Sequence, residues 1–328
     1  MSEFSRKTAL WILTFLLALL LGVLASLSWG EMFISPLSWL SLPEGGMETA
    51  ILVGLRLPRT LSAVCIGGML SLSGCLLQGL FKNPLVEPYT LGLSGGASLG
   101  VAAAFACGMG LTAGTGIFAL TGAAAVSLLL LLYFRVCRSV ENLLLAGIMT
   151  GILCSAATTL IMSLSSPEDL TRILYWTMGS LAGCSLQGAY LLSGFAGGGL
   201  VLAVLLSQRI NILGLGHETA RSMGVNTSLL IPVLLLLTAL LTAISVSLAG
   251  IVGFVGLVVP HILRRLAGND YRRLVPLSFL GGGLFLLLCD FISRILLYPS
   301  QLPVGVVSGI LGGGLFVYLL LKSHSDPR

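Results

Sequence analysis

The 328 residues are 56% hydrophobic and only 9% charged, with a mean hydropathy of +1.04 and a formal net charge of +5. Soluble domains carry roughly a quarter charged residues, so this composition excludes a soluble fold, and no interval between the apolar runs could hold a soluble domain. The chain reads as one all-α, polytopic membrane domain spanning residues 1–328.

A hydrocarbon core about 30 Å thick takes roughly 20 apolar residues per helix. Ten spans are predicted in chain order: 9–29, 60–80, 91–108, 115–134, 142–164, 189–208, 228–249, 250–266, 275–296 and 304–321. The third and eighth are short and glycine-rich. Arg6 and Lys7 before the first run imitate a signal peptide, with Ala25-Ser26-Leu27-Ser28 as a cleavage site. The apolar run nevertheless continues to Trp29, beyond the roughly 7–15 residues of a signal core, and a retained first helix is expected.

Basic residues set the orientation. With the N-terminus inside, 13 of the 17 basic residues fall on the cytoplasmic side, and only Arg56, Arg59, Arg172 and Arg294 lie outside. One span more or fewer scrambles that division, so both termini are expected in the cytoplasm. Three arginines, Arg56, Arg59 and Arg294, gather at one outer face against the general trend. Guanidinium forks bind carboxylates in fixed geometry, while long basic side chains also reach phospholipid headgroups; the residues alone leave both readings open.

Glycine accounts for 42 residues. Many recur at four-residue spacing, as in Gly92/Gly96/Gly100, Gly147/Gly151/Ser155 and Gly305/Gly309/Gly313, which makes smooth ridges where helix backbones approach closely. An echo also links Ser71-Leu72-Ser73-Gly74, ahead of Pro84, with Ser247-Leu248-Ala249-Gly250, ahead of Pro260. The five spans between the second and seventh helices require any such repeat to be inverted, a common plan in transporters.

Ionisable groups are scarce at membrane depth, where they are costly. Asp290 alone lies well inside a predicted span, one turn from Arg294, and the (i, i+4) spacing predicts a structural ion pair. His217, His261 and His324 are far apart, so no metal site is expected. The seven cysteines form no CxxC pair and read as small buried hydrophobes. A segment from Leu213 to Asn226 is too short and polar to span; its helix, from about His217 to Met223 and stopped at Gly224, suits the groove of a partner protein.

Three blocks of this chain carry a resemblance. The first joins Arg56 and Arg59, an apolar helix, the Lys82-Asn83-Pro84-Leu85 turn and the Gly92/Gly96/Gly100 ridge. The second runs from Gly253 through Pro260-His261 to Arg264, with Gly268 and Asp270 following; the third is Leu302-Pro303-Val304-Gly305-Val306-Val307. In this order they resemble the FecCD family, the permeases of bacterial ATP-driven importers for ferric siderophores, haem and cobalamin.

The resemblance implies a permease without enzymatic activity, in a bacterial or archaeal cytoplasmic membrane. It implies a homodimer or paralogue pair, two ATPase subunits and a periplasmic or lipid-anchored binding protein. Arg56, Arg59 and Arg294 are then the pockets for acidic knobs of that binding protein. Asn83 and Leu85, with Glu141 and Asn142, narrow the cytoplasmic gate. Gly147, Thr150, Gly151, Ser155 and Thr158 line the path. His217, Glu218, Ala220, Arg221 and Gly224, in a coupling segment over about 212–226, meet the ATPase, and the last glycine ridge is the candidate subunit contact. Ferric siderophore is the expected cargo, with haem or cobalamin as alternatives.

No GxxxxGK[ST] phosphate loop occurs in the sequence, so the chain is expected to bind no cofactor itself, and ATP and magnesium belong to the ATPase subunit. A rival from another class is an intramembrane serine protease, because Gly92-Leu93-Ser94-Gly95 fits GxSG and His261 follows. A nucleophile needs its base within about 2.6–3.2 Å, and Ser94 sits in a packing ridge while His261 neighbours Arg264 and Arg265 near the inner surface. A self-powered transporter is disfavoured by the missing intramembrane charges.

Overall fold

The computed structural model describes residues 3–324 except 31, 37, 38, 40–42, 44, 45, 110–113, 138, 298 and 299. Arg138 and Arg328 therefore lie outside the described residues, as do the side chains of Arg6, Lys7 and His324. The elements are all helical, with no β-strand among the described residues. In chain order they are α1 (Glu3–Ser28), α2 (Met47–Ile51), α3 (Leu57–Phe81), α4 (Leu93–Ala106), α5 (Gly114–Cys137), α6 (Val140–Leu164) and α7 (Pro167–Thr177). There follow α8 (Leu186–Gly214), α9 (His217–Ser222), α10 (Thr227–Ala249), α11 (Val255–Ala267), α12 (Tyr271–Ile295) and α13 (Val304–His324). A single π-helical turn, Leu52–Arg56, joins α2 to α3 without a break.

Eight of these segments are long and apolar enough to cross a membrane among the described residues: α1, α2–α3, α5, α6, α8, α10, α12 and α13. The third and eighth expected spans are instead half-length, α4 with 14 residues and α11 with 13, or about 20 Å each at 1.5 Å per residue. Each follows a non-helical stretch. After α3 the chain leaves the helix at Lys82, whose φ is 49°, and Pro84 prevents continuation. Asn83 Oδ1 accepts the Leu85 N–H at 2.9 Å, and a 3-10 turn at Pro88–Leu91 leads into α4. Before α11 the chain is extended from Gly250 to Phe254, with left-handed φ near 68° at both ends.

The two stretches meet inside the protein. The Val252 N–H donates to the Tyr89 hydroxyl at 3.1 Å, which supplies a partner to backbone that lipid could not satisfy. Gly92, at the start of α4, packs against Gly147 and Gly151, two to three turns into α6, and Gly256 of α11 packs against Leu70 and Gly74 of α3. Both half-helices thus begin in the interior of the bundle and run towards opposite ends.

Helix α3 is the centre, with 89% of its most apolar window buried. Close approach there leaves no room for a side chain: a Cβ on Gly74 would lie 1.9 Å from the Gly256 carbonyl oxygen, and one on Gly67 2.2 Å from that of Gly282. The Gly92/Gly96/Gly100 and Gly147/Gly151 ridges are likewise intramolecular seats. The last ridge divides: Gly305 abuts the Met178 and Ile251 carbonyls, whereas Gly309 has no atom within 4 Å of an added Cβ.

The inverted plan appears in helix order. A full helix, a half-helix and a full helix (α3, α4, α5) recur as α10, α11, α12, with α3 packed on α12 and α10 on α5. The short sequence echo does not mark equivalent positions: Gly74 is inside α3 but Gly250 ends α10, and Pro84 lies outside any helix while Pro260 lies within α11.

Candidate functional site

At one end of the bundle, where α1 and α12 finish and α3 begins, the three arginines form one polar network. Arg56 is 6% exposed. Its guanidinium donates to the carbonyls of Leu27 at 2.7 Å, Ser28 at 2.9 Å and Met32. Those of Leu27 and Ser28 belong to the last turn of α1, which lacks helical donors, and a cation also suits the negative end of the helix dipole. The resemblance implies that Arg56 belongs to the docking pockets; in the structure its guanidinium caps the end of α1.

Asp290 is completely buried between the other two. Arg59 Nε donates to Asp290 Oδ1 at 2.7 Å, and its Nη1 to Gln301 Oε1 at 2.6 Å. Arg294 Nε lies 3.1 Å from Asp290 Oδ2, an ionic contact without hydrogen-bond alignment, and Nη2 donates to Ser26 Oγ at 2.6 Å. The expected Asp290–Arg294 pair is present, and Arg59 joins it across 231 positions of sequence. Their side chains are 11% and 9% exposed, so only their edges reach the surface. One carboxylate shared by two guanidiniums leaves this cluster with one positive charge in excess.

The opposite end carries α9. Gly216, with φ 124°, turns the chain into this short helix. Its apolar anchor, Ala220, is fully buried, while His217, Glu218 and Arg221 are exposed. The Val225 N–H returns to the Ala220 carbonyl at 2.9 Å and Gly224 adopts φ 81°, a left-handed helix end that glycine accommodates without strain. Arg221 Nε donates to Thr227 Oγ1 at 3.1 Å, tying α9 to the first turn of α10. Partial burial of the ring, then the charges of Lys82 and Arg221, hold the His217 imidazole below its ordinary pKa, which favours its neutral form.

A cavity of about 840 Å³ brings two of the expected groups together: Arg135, Ser139 and Glu141 on one side, His217, Glu218, Arg221 and Thr227 on the other. Ser139 Oγ accepts the Asn142 N–H at 3.2 Å, capping α6, and Glu141 and Asn142 are exposed. Of the other gate residues, Leu85 is 52% exposed and Asn83 is half-buried.

The structure redistributes the expected path residues along α6. Gly147 and Thr158 are buried against their own chain, Gly147 on Leu91 and Thr158 with its hydroxyl on the Cys154 carbonyl at 2.8 Å. Thr150 and Gly151 are half-buried, and Ser155 faces outward. The outward face also carries Leu145, Ile148, Met149, Ile152 and Thr159, with Leu153 and Leu160 exposed beside them. That stripe recurs at helical spacing, whereas Gly147, Gly151 and Thr158 lie on the packed side of α6. Sequence reasoning also missed α7, despite its start signal: Ser166 Oγ accepts the Asp169 N–H, Pro167 opens the helix, and Arg172 pairs with Asp169 at 3.5 Å.

No dyad forms at Ser94. The His261 ring stands edge-on to Phe316 and its Nε2 has no hydrogen-bond partner among the described residues, while the Ser94 neighbourhood is glycine packing against α5 and α6. Among the described residues, no group of three His, Cys, Asp or Glu side chains could hold a metal ion.

The FecCD transport family matches residues 16–322. The chain belongs to that family. Within it, the vitamin B12 import system permease protein BtuC of Salmonella arizonae is 40% identical over 320 residues, covering 97% of this chain and 96% of that protein. BtuC of Salmonella typhi is also 40% identical, covering 97% of each. Among solved structures, one described as the inward-facing conformation of a metal-chelate type ABC transporter superposes with a TM-score of 0.86 at 29% identity, covering 95% of this chain and 98% of that one. This FecCD protein is therefore a multi-pass permease of an ABC importer. It is not itself an enzyme: ATP hydrolysis resides in a separate subunit, and the importer works with a binding protein and a second permease copy.

Proposed function

We propose that this permease imports a cobalamin-type corrinoid, in place of the ferric siderophore expected from the family at large. The observation that carries the reading is 40% identity, over nearly the full length of both chains, to permeases named for vitamin B12 import.

In this reading the α9 end is cytoplasmic, the chain lies in the cytoplasmic membrane, and both termini face the cytoplasm. The ATPase seats on α9 through Glu218 and Arg221. Movement of α9 reaches the gate through the cavity it shares with Glu141 and through Lys82 beside His217. The binding protein docks acidic groups on the excess positive charge of Arg59 and Arg294 at the far end. The second copy packs on α13 at Gly309, the ridge position left open, and the cargo passes between the copies along the outward stripe of α6.

The test is uptake by proteoliposomes holding this permease, its ATPase and its loaded binding protein. Cobalamin, a ferric siderophore and haem are offered separately. ATP-dependent accumulation of cobalamin, abolished by Glu218→Lys with Arg221→Glu, is expected. Uptake of the siderophore or haem with none of cobalamin overturns the assignment.

A further inference from the structure

Between the last third of α8 and the first turns of α10 lies a second crevice, about 420 Å³. Its walls are Leu202 and Leu206 on α8 and Leu229, Leu230 and Val233 on α10; Arg209 and Asn226 stand at its rim. The two helices run antiparallel here. Seven residues separate Leu202 from Arg209 and Val233 from Asn226, so the apolar part extends about 10 Å below the rim. Leu202 is 40% and Leu229 62% exposed, so the mouth opens on the surface of the bundle.

Arg209 stands 23 residues from the start of α8, about 35 Å along the helix at 1.5 Å per residue and just beyond a hydrocarbon core of about 30 Å. The crevice bottom is therefore at acyl-chain depth and the rim at headgroup depth. Arg209 is exposed and makes no hydrogen bond or ion pair among the described residues. Asn226 uses Oδ1 to accept the Leu229 N–H at 3.2 Å, and its amide donors are not used among the described residues.

We propose that this crevice binds one anionic phospholipid, its acyl chain between α8 and α10 and its phosphate on Arg209 with support from the Asn226 amide. A guanidinium above an apolar slot matches the charge and shape of a phosphodiester on a hydrocarbon chain. Neutral and zwitterionic lipids would use the slot without the net attraction. Because Gly224, Val225 and Asn226 line the same crevice, the lipid would brace the hinge between α9 and α10.

Native mass spectrometry of the intact importer, titrated with phosphatidylglycerol or phosphatidylcholine, tests this. Wild type is expected to retain phosphatidylglycerol preferentially. Arg209→Gln should lower that retention roughly fivefold, the scale of one basic residue at a membrane surface. Leu202→Trp, which fills the slot from a half-exposed position and leaves Arg209 in place, should lower it as well. Unchanged phosphatidylglycerol occupancy in both variants overturns the proposal. So does displacement of the lipid by glycerol phosphate at equal concentration, which would make this a soluble-anion site. Loss of the ATPase from Arg209→Gln at constant lipid count also overturns it, assigning the rim to the partner subunit.

Discussion

Asp290→Asn keeps the size of a fully buried side chain and removes its charge. Arg59 loses its 2.7 Å partner and Arg294 its 3.1 Å contact, leaving two guanidiniums about nine-tenths buried without a counter-charge. Removing one partner of a buried pair typically costs about 3–5 kcal/mol. The low end applies, because Arg59 keeps Gln301 and Arg294 keeps Ser26. At roughly 2–4 °C per kcal/mol for a large chain, a loss of about 3 kcal/mol should lower the melting temperature by about 6–12 °C. Once the exposed Cys107 and Cys137 have been blocked, a maleimide dye reports the transition in detergent, since Cys65, Cys75 and Cys289 are buried and free. The double variant Asp290→Asn with Arg294→Gln should recover only part of the loss, because it removes one uncompensated guanidinium while Arg59 still lacks its carboxylate partner. If Asp290→Asn melts within about 2 °C of wild type, as an ordinary surface change would, the network does not hold α1, α3 and α12 together.

Two further outcomes follow from the packing and the caps. Gly74→Ala places a methyl carbon 1.9 Å from the Gly256 carbonyl; α11 must move, at a cost at or above the about 1–3 kcal/mol of an overpacked core. The same assay should show a large drop for Gly74→Ala and almost none for Gly198→Ala, which meets no atom within 4 Å. At the N-cap of α12, burial raises the Asp270 carboxyl, but hydrogen bonds from Arg272 and Asn211 outweigh it and hold the group below its ordinary value. Its stabilisation is therefore complete above the unfolded value, near pH 4, and is lost as pH falls through the lower folded value. Melting followed from pH 6 to pH 3 should show an acid loss that Asp270→Asn reduces.

The all-helical membrane class, ten positions of apolar chain, the short α9 with its glycine stop and the Asp290–Arg294 pair were all legible in the sequence. Each depends on composition, periodicity or contacts within one or two turns. The same local signals mark α7, where Ser166 and Pro167 start the helix, but its eleven residues include Glu168, Asp169 and Arg172 and so carry no spanning signature.

What the tertiary structure decided concerns depth and partners. Gly92 and Gly147 read alike in sequence as ridge glycines, and only their mutual packing shows that α4 begins inside the bundle. Arg56 and Arg59 share one motif, yet Arg56 caps α1 while Arg59 reaches Asp290 on α12. Thr158 and Ser155 lie one turn apart on α6, and one faces the core while the other faces out. Local propensity specifies that a residue is helical and apolar; which neighbour it meets depends on long-range packing, where an ångström of backbone clearance at Gly67 or Gly74 determines the register of the helices.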